Sequence, residues 1–141
     1  MKNIKDVARA VNRELAGTFP GVEIKSTDID KNVKKPCFFT EYDLARDGTP
    51  DFIHDYGKVT IFYFPSDSRK NRLELMETQN KLAETFFCRL KVDESFYIPI
   101  DELEFDVSND VLTLEFEVEM YQRPEEEPGI MMEEISINEE V

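Results

Sequence analysis

The sequence predicts an α+β fold in which two amphipathic helices pack on a mainly antiparallel sheet. Two segments with helical periodicity, several segments with strand alternation, and turn residues between them carry this prediction. Apolar residues make up 40% of the 141 residues, and eleven residues are Phe. A chain of this length buries roughly two-thirds of its unfolded surface, so it needs no disulfide or metal for stability. We expect one domain over residues 1–124 and an acidic tail over residues 125–141.

Two helices are predicted, one at the start of the chain and one in its centre. Residues 3–16 place apolar side chains at three- and four-residue spacing, with Asn3 as the cap and Gly17 after the last turn. Residues 65–68 end a strand and cap the second helix, which is expected to run to about Phe87. The predicted buried stripe of the second helix consists of Leu75, Met76, Leu82, Ala83 and Phe86.

Alternation of apolar and polar residues locates the first strands. Residues 22–26 and 37–44 are predicted as strands, and residues 58–64, which are apolar on both faces, as a central covered strand. Residues 45–57 contain two glycines and a proline and are predicted to form a long polar loop. A further short strand is expected within residues 90–100.

The clearest hairpin lies in residues 103–120. Apolar residues alternate with acids over residues 103–107, residues 108–110 have turn chemistry, and the alternation resumes at Leu112. One face of this hairpin is expected to be core and the other a row of carboxylates in water. The carboxylates of the last strand are Glu115, Glu117 and Glu119.

The net charge of −14 is concentrated near the C-terminus. Residues 1–98 carry 16 acidic and 16 basic side chains, whereas residues 99–141 carry 15 acidic side chains and one basic residue, Arg123. Because so acidic a region repels phosphate, nonspecific nucleic-acid binding and binding to anionic membranes are disfavoured.

Targeting signals and cysteines indicate where the protein is made. The sequence shows no signal-peptide pattern and no apolar stretch approaching the ~18 residues of a membrane span. Cys37 and Cys88 lie among apolar neighbours and are predicted to be buried thiols in a reducing compartment, with a disulfide between them as the less favoured alternative. We expect synthesis in a cytoplasm.

No catalytic, cofactor-binding or metal-binding constellation is evident in the sequence. The one histidine, His54, lies in the predicted loop without a nucleophile or a fixed partner and is expected to be a surface residue. The acidic residues of 101–106 match neither a calcium loop nor zinc spacing and are predicted to be a solvated face. We therefore predict a protein that is not an enzyme and that works by binding other chains.

Two segments are candidates for protein–protein contacts. In the predicted loop, Phe52, Ile53, His54 and Tyr56 expose apolar surface unless they fold back onto the sheet, and both outcomes are open. The acidic tail is too polar for a core and too apolar for a pure solubiliser, so it is expected to dock on a neighbouring subunit or, over residues 136–141, to be disordered. Its candidate contact residues are Ile130, Met131, Met132 and Ile135.

Five segments, taken in order, share their pattern with one known family. An amphipathic helix leads into residues 19–20 (Phe-Pro), residues 35–39 begin a second strand, and residues 61–66 run from a central strand into a helix cap. Residues 110–121 form the last strand, and residues 131–134 supply a closing acidic motif. In this order the chain resembles the small tail terminator proteins of phages, prophages and phage-tail-like bacteriocins of Gram-positive bacteria, in the branch with contractile tails.

The resemblance implies a structural role in a virion tail or tail-like particle assembled in the cytoplasm of the bacterial host. Such proteins form a hexameric ring on the last ring of tube subunits and stop tube growth. The implied partners are further copies of the chain, the tube protein, the sheath, and neck or head-completion proteins. In such a ring Glu115, Glu117 and Glu119 are expected to face the lumen, where negative charge lets DNA pass without adhering.

Two alternatives remain open at the level of sequence. Another head–tail joining or tail-completion protein would share the fold class and differ in its position on the particle. An acidic inhibitor that mimics DNA would also be strongly negative, but the core-facing alternation of residues 103–120 explains the acids without mimicry.

Overall fold

The computed structural model describes residues 2–25, 35–67 and 69–124. Helix α1 spans Ile4–Thr18 and helix α2 spans Arg72–Thr85, and neither is long and apolar enough to cross a membrane. The strands in these residues are β1 Glu23–Lys25, β2 Cys37–Thr49, β3 Phe52–Phe64, β4 Arg89–Asp93, β5 Phe96–Pro99, β6 Glu104–Ser108 and β7 Val111–Gln122.

Five strands form one sheet in the order β1-β2-β3-β7-β6. Strand β1 is parallel to β2, and every other neighbouring pair is antiparallel. Strands β4 and β5 form a separate hairpin. The apolar core contains residues of both helices, of this hairpin and of one face of the sheet. The predicted α+β fold with a mainly antiparallel sheet is confirmed, whereas residues 125–141 lie outside the described part of the chain and the tail boundary stays a prediction.

Helix α1 begins where its cap was predicted. The Asn3 side chain accepts hydrogen bonds from the backbone N–H groups of Lys5 and Asp6, and the Asp6 carboxylate accepts one from the backbone N–H of Asn3. This reciprocal arrangement satisfies backbone donors that the first helical turn leaves without partners. The helix continues through Gly17 to Thr18, and Phe19 caps its end.

Aromatic side chains join the helices to the centre of the sheet. Phe38 on β2 is fully buried, and its ring centroid lies 4.9 Å from that of Phe19 and 5.0 Å from that of Tyr63. At the end of α2, the Phe86 ring lies 5.4 Å from the Phe116 ring of β7. Such contacts place the largest apolar areas at the helix–sheet interface, where their burial stabilises the fold most.

The prediction of a loop over residues 45–57 is wrong, because these residues form the far end of a long β-hairpin. Strands β2 and β3 pair without interruption from Cys37–Phe64 to Thr49–Phe52. Only Pro50 and Asp51 form the turn. The two glycines permit close approach of the strands: a Cβ atom at Gly57 would lie 2.1 Å from the Asp43 carbonyl oxygen.

The second half of the sheet follows the predicted hairpin. Asn109 and Asp110, at the turn between β6 and β7, have φ angles of 52° and 64°, which suit a two-residue turn with left-handed residues. Val107 was expected in the core but is 52% exposed, since β6 is the outermost strand. The short strand expected within residues 90–100 is the β4–β5 hairpin.

Helix α2 starts later than predicted, and Leu75, Leu82 and Phe86 of its predicted buried stripe are buried. Asp67 accepts hydrogen bonds from the backbone N–H groups of Arg69 and Lys70, so it makes a turn ahead of the helix. The buried side chains of α2 are Leu75, Thr78 and Leu82. Met76, which was predicted in the buried stripe, is 62% exposed.

This orientation of α2 predicts that two similar substitutions differ strongly in their effect on stability. We expect Leu82→Ala to lower the free energy of unfolding by about 2–5 kcal/mol, because it opens a cavity at a fully buried position. Met76→Ala is expected to change the free energy of unfolding by less than about 0.5 kcal/mol. Urea unfolding followed by circular dichroism measures both, and a larger loss for Met76→Ala would show that α2 is rotated from this orientation.

The two cysteines occupy different environments. Both are free thiols; Cys37 is buried, as predicted, and burial raises the pKa of its thiol. Cys88 is exposed, in contrast to the prediction. Its φ angle of 69° and the hydrogen bond from the Ile100 N–H to its carbonyl place it at the turn from α2 into β4.

Candidate interaction surface

The far end of the β2–β3 hairpin is a three-stranded surface. Strand β7 pairs with β3 as far as Ile53–Gln122, one residue pair short of the hairpin turn region. Successive side chains of a strand point to opposite faces. The face that carries Val59 and Ile61 covers the core, and the opposite face, here called the outer face, carries Phe52, His54 and Tyr56.

An aromatic cluster covers the outer face of this end. The rings of His54 and Tyr121 are stacked with centroids 4.3 Å apart and planes 7° apart, and Tyr56 stacks on the other side of His54 at 4.8 Å. Phe52 stacks on Tyr121 at 5.8 Å. The exposed fractions are 44% for Phe52, 40% for Tyr56 and 55% for Tyr121. A contiguous exposed aromatic surface of this kind is typical of a protein–protein contact.

His54 links three strands through its two ring nitrogens. Nδ1 lies 3.0 Å from Asp47 Oδ1 on β2, and Nε2 lies 2.7 Å from Glu119 Oε2 on β7. The Tyr121 hydroxyl donates a further hydrogen bond to Glu119. The hydrogen bond to Glu119, together with Asp47, raises the pKa of His54 above its usual value. The expected lone surface histidine therefore has fixed partners on two neighbouring strands.

We expect this linkage to be pH-dependent. Only the protonated imidazole donates from both nitrogens, so a raised pKa in the folded state adds stability that is fully present below about pH 6.5 and is lost as the pH rises through the folded pKa. NMR titration of the His54 ring should give a midpoint above 6.5. Glu119→Gln should lower the midpoint, whereas Asp106→Asn on β6 should leave it unchanged. A midpoint at or below 6.5 in the native protein would contradict the linkage.

On the face opposite the outer face, an ion pair joins β2 and β3. Arg46 Nε and Nη2 donate to the two carboxylate oxygens of Asp55 at 2.6 and 3.0 Å. Asp55 is only 6% exposed, and this two-point contact satisfies both of its oxygens. The hairpin end is thus held on both faces, which favours a defined shape for binding over an adaptable loop.

The carboxylates of β7 also lie on the outer face. Glu115 Oε1 is 3.6 Å from Lys58 Nζ, Glu119 contacts His54, and Glu117 lies opposite Lys58 in the strand register. All three are solvent-accessible, and their assignment to a ring lumen stays a prediction. Among the described residues no group of three or more histidine, cysteine, aspartate or glutamate side chains is arranged to hold a metal ion.

A groove borders the aromatic cluster along β7. It has a volume of about 820 Å³, and residues 117–121 line it without a gap. Residues of β2 and β3 also line it, among them Asp43, Ala45, Tyr56 and Lys58, so the groove extends from β7 across the outer face. Phe96, Tyr97, Pro99 and Asp101 form its opposite wall.

The structure places part of the predicted contact set together and adds residues that the sequence did not suggest. Phe52, His54 and Tyr56 share the outer face with Tyr121, whereas Ile53 points the other way. Tyr121 was missed, although its alternation with Glu119 placed it on the carboxylate face. Ile130, Met131, Met132 and Ile135 lie outside the described residues.

A second exposed apolar surface lies along α2. Leu73 and Met76 are 68% and 62% exposed, and Phe87, beyond the end of the helix, is 71% exposed. Leu73 and Met76 are three residues apart and therefore neighbours on one side of the helix, opposite the buried Leu82. This α2 surface is separate from the aromatic cluster and gives the chain two different apolar patches.

The described residues carry exposed aromatic, carboxylate and apolar patches, which are features of a surface that contacts other proteins. The comparison with protein families shows the family to which the chain belongs. The family model described as phage tail terminator protein matches residues 6–130, and the chain belongs to this family. It is therefore a structural component of a phage-type tail and contacts other tail proteins. No curated protein matches the chain significantly.

Proposed function

We propose that the chain caps the tail tube as a subunit of a homohexameric ring, stops tube polymerisation, and joins the tail to sheath and neck proteins. The observation that carries this proposal is the family match, which runs from the first turns of α1 through β7. On this proposal the chain acts by shape and surface without catalysis, and it assembles in the cytoplasm of the bacterial host. A contractile tail, in a phage or a bacteriocin, is the proposed setting.

A closed ring needs two different complementary patches on each subunit, because its contacts are head-to-tail. The aromatic cluster around Tyr121 and the α2 surface around Met76 are two exposed patches that could supply contacts of this kind or contacts with other tail proteins. We assign the α2 surface to a contact with a neighbouring copy and the aromatic cluster to a contact with another tail protein, such as the tube protein. The rigid pairing of β2 with β3 suits this role, since an ordered hairpin loses little conformational entropy on binding.

The C-terminal segment is assigned a second contact. Residues 129–137 combine apolar side chains with glutamates, and on this proposal Ile130, Met131, Met132 and Ile135 dock on an adjacent subunit or on the tube. A chain ending at residue 124 is expected to cap tubes less efficiently. Normal tube lengths with this truncated chain would remove the tail from the interface.

The experiment that tests the proposed function is deletion of the gene from its particle, with tube length measured by electron microscopy. A missing terminator gives tubes longer than normal, and expression of the intact chain in trans restores their length. As a matched control, Asp106→Asn on β6 should restore length as well as the native chain does. Tubes of normal length in the deletion strain would contradict tube termination, and a block at head joining alone would favour another neck protein.

A further inference from the structure

The groove along β7 has the chemistry of a binding site for a cation. Asp43, Asp101, Glu117 and Glu119 line it, while its basic side chains are Lys58 and His54. Lys58 contacts Glu115, and His54 already contacts Glu119. Within the described residues, Asp43, Asp101 and Glu117 take part in no ion pair. The groove therefore presents excess negative charge to whatever occupies it.

The walls of the groove are aromatic. Tyr56 and Tyr121 stand on the sheet side, and Phe96 and Tyr97 stand on the β4–β5 hairpin. An aromatic face next to carboxylates favours guanidinium and ammonium groups, because the ring attracts the cation and the carboxylates neutralise it. The same wall shows this contact within the chain: the Arg89 guanidinium lies 4.7 Å from the centroid of the Tyr97 ring.

The free edge of β7 indicates the shape of the occupant. Strand β6 pairs with β7 only from Val111 to Glu115, and on that side no described strand pairs with the rest of β7 up to Gln122. The groove borders this stretch, and Phe96 and Tyr97 of the nearby strand β5 also line it. A strand edge without a paired neighbour offers backbone donors and acceptors at strand spacing. An extended segment can hydrogen-bond to that edge while alternate side chains enter the groove.

We propose that this groove binds an extended segment of another tail protein whose alternate residues are arginine or lysine. The negative charge selects the cationic side chains, the aromatic walls hold their planar or alkyl parts, and the β7 edge aligns the backbone. This inference rests on the proposed function, since it names the partner chemistry of the same face. It also assigns Glu117 and Glu119 to a protein contact in place of the ring lumen.

The probe is a short synthetic peptide in which arginine alternates with threonine, matched with a peptide that carries citrulline in place of each arginine. Citrulline keeps the planar shape and removes the charge. We expect the arginine peptide to shift the NMR resonances of Tyr121 and Tyr97, and to bind at least about tenfold more tightly than the citrulline peptide. Added salt should weaken it. Equal binding of the two peptides, or shifts outside the groove, would overturn the proposal.

Charge-neutral variants test the location. Asp101→Asn combined with Glu117→Gln should weaken the arginine peptide about tenfold or more, and the double variant Asp106→Asn with Asp110→Asn, which removes the same charge from β6 and its turn, should not. Unchanged thermal unfolding shows that both variants fold. Loss of self-association in place of peptide binding would identify a second copy as the occupant and overturn the proposal. Peptide binding is measured without tubes, so the two proposals can fail separately. The peptide can fail to bind although the gene deletion gives overlong tubes, and it can bind although the deletion leaves tube length normal.

Discussion

Gly57→Ala is expected to lower the free energy of unfolding by about 2–4 kcal/mol, a large effect for the addition of one methyl group. The φ angle at Gly57 is +156°, which residues with a side chain rarely adopt. A Cβ atom there would lie 2.1 Å from the Asp43 carbonyl oxygen and 2.7 Å from the Leu44 Cα. These are backbone atoms of β2, so the clash is relieved only by separating the strands that form the proposed contact surface.

Chemical unfolding measures the effect, and Gly17 supplies the matched control. Nothing lies within 4 Å of a Cβ atom added at Gly17, which is in the last turns of α1. Because alanine is the better helix former, Gly17→Ala should leave stability unchanged or raise it by up to about 1 kcal/mol. If Gly57→Ala were as stable as the native chain, the close approach of β2 and β3 would be incorrect.

Phe38→Ala is expected to lower the free energy of unfolding by about 3–5 kcal/mol, because the lost ring leaves a cavity that the sheet and α1 cannot close. Phe38 is fully buried between Phe19 and Tyr63. A domain of this size has a total stability of about 5–15 kcal/mol. We therefore expect a substantial fraction of the variant to be unfolded at growth temperature.

The neighbouring Phe39 is the control for this substitution. It points to the outer face and contacts Phe62 with a centroid distance of 6.0 Å, and it is only partly buried. Phe39→Ala should cost about 1 kcal/mol. Thermal unfolding followed by circular dichroism compares the two variants. Equal losses would mean that β2 does not turn Phe38 toward the helices.

The fold was predictable where an element has one buried and one exposed face, because its apolar residues then recur at regular spacing in the sequence. Residues 112–120 have one buried and one exposed face, so their alternation predicted β7 and the carboxylate row correctly. The far end of the β2–β3 hairpin is mostly exposed on both faces, so its residues show no such period. Its glycines then indicated a loop, although they serve close approach of strands.

The orientation of α2 was predicted in part, since Leu75, Leu82 and Phe86 are buried as expected. Met76 is 62% exposed and lies on the side of the helix that carries Leu73, so the spacing of apolar residues did not define the margin of the buried stripe. The contact surface was partly predictable: Phe52, His54 and Tyr56 were identified as candidates. These residues lie next to Tyr121 and the groove because of the β3–β7 register, which no local sequence pattern encodes.

The most direct test of the account is polymerisation of purified tail tube protein with and without this chain, with tube lengths measured by electron microscopy. If the chain caps tubes, a substoichiometric amount should arrest growth, shorten the length distribution and leave density for the chain at one end of each tube. Asp106→Asn should act as the native chain does. Tubes that grow to the same lengths in its presence, with both ends bare, would contradict the assignment of this chain as a tube cap.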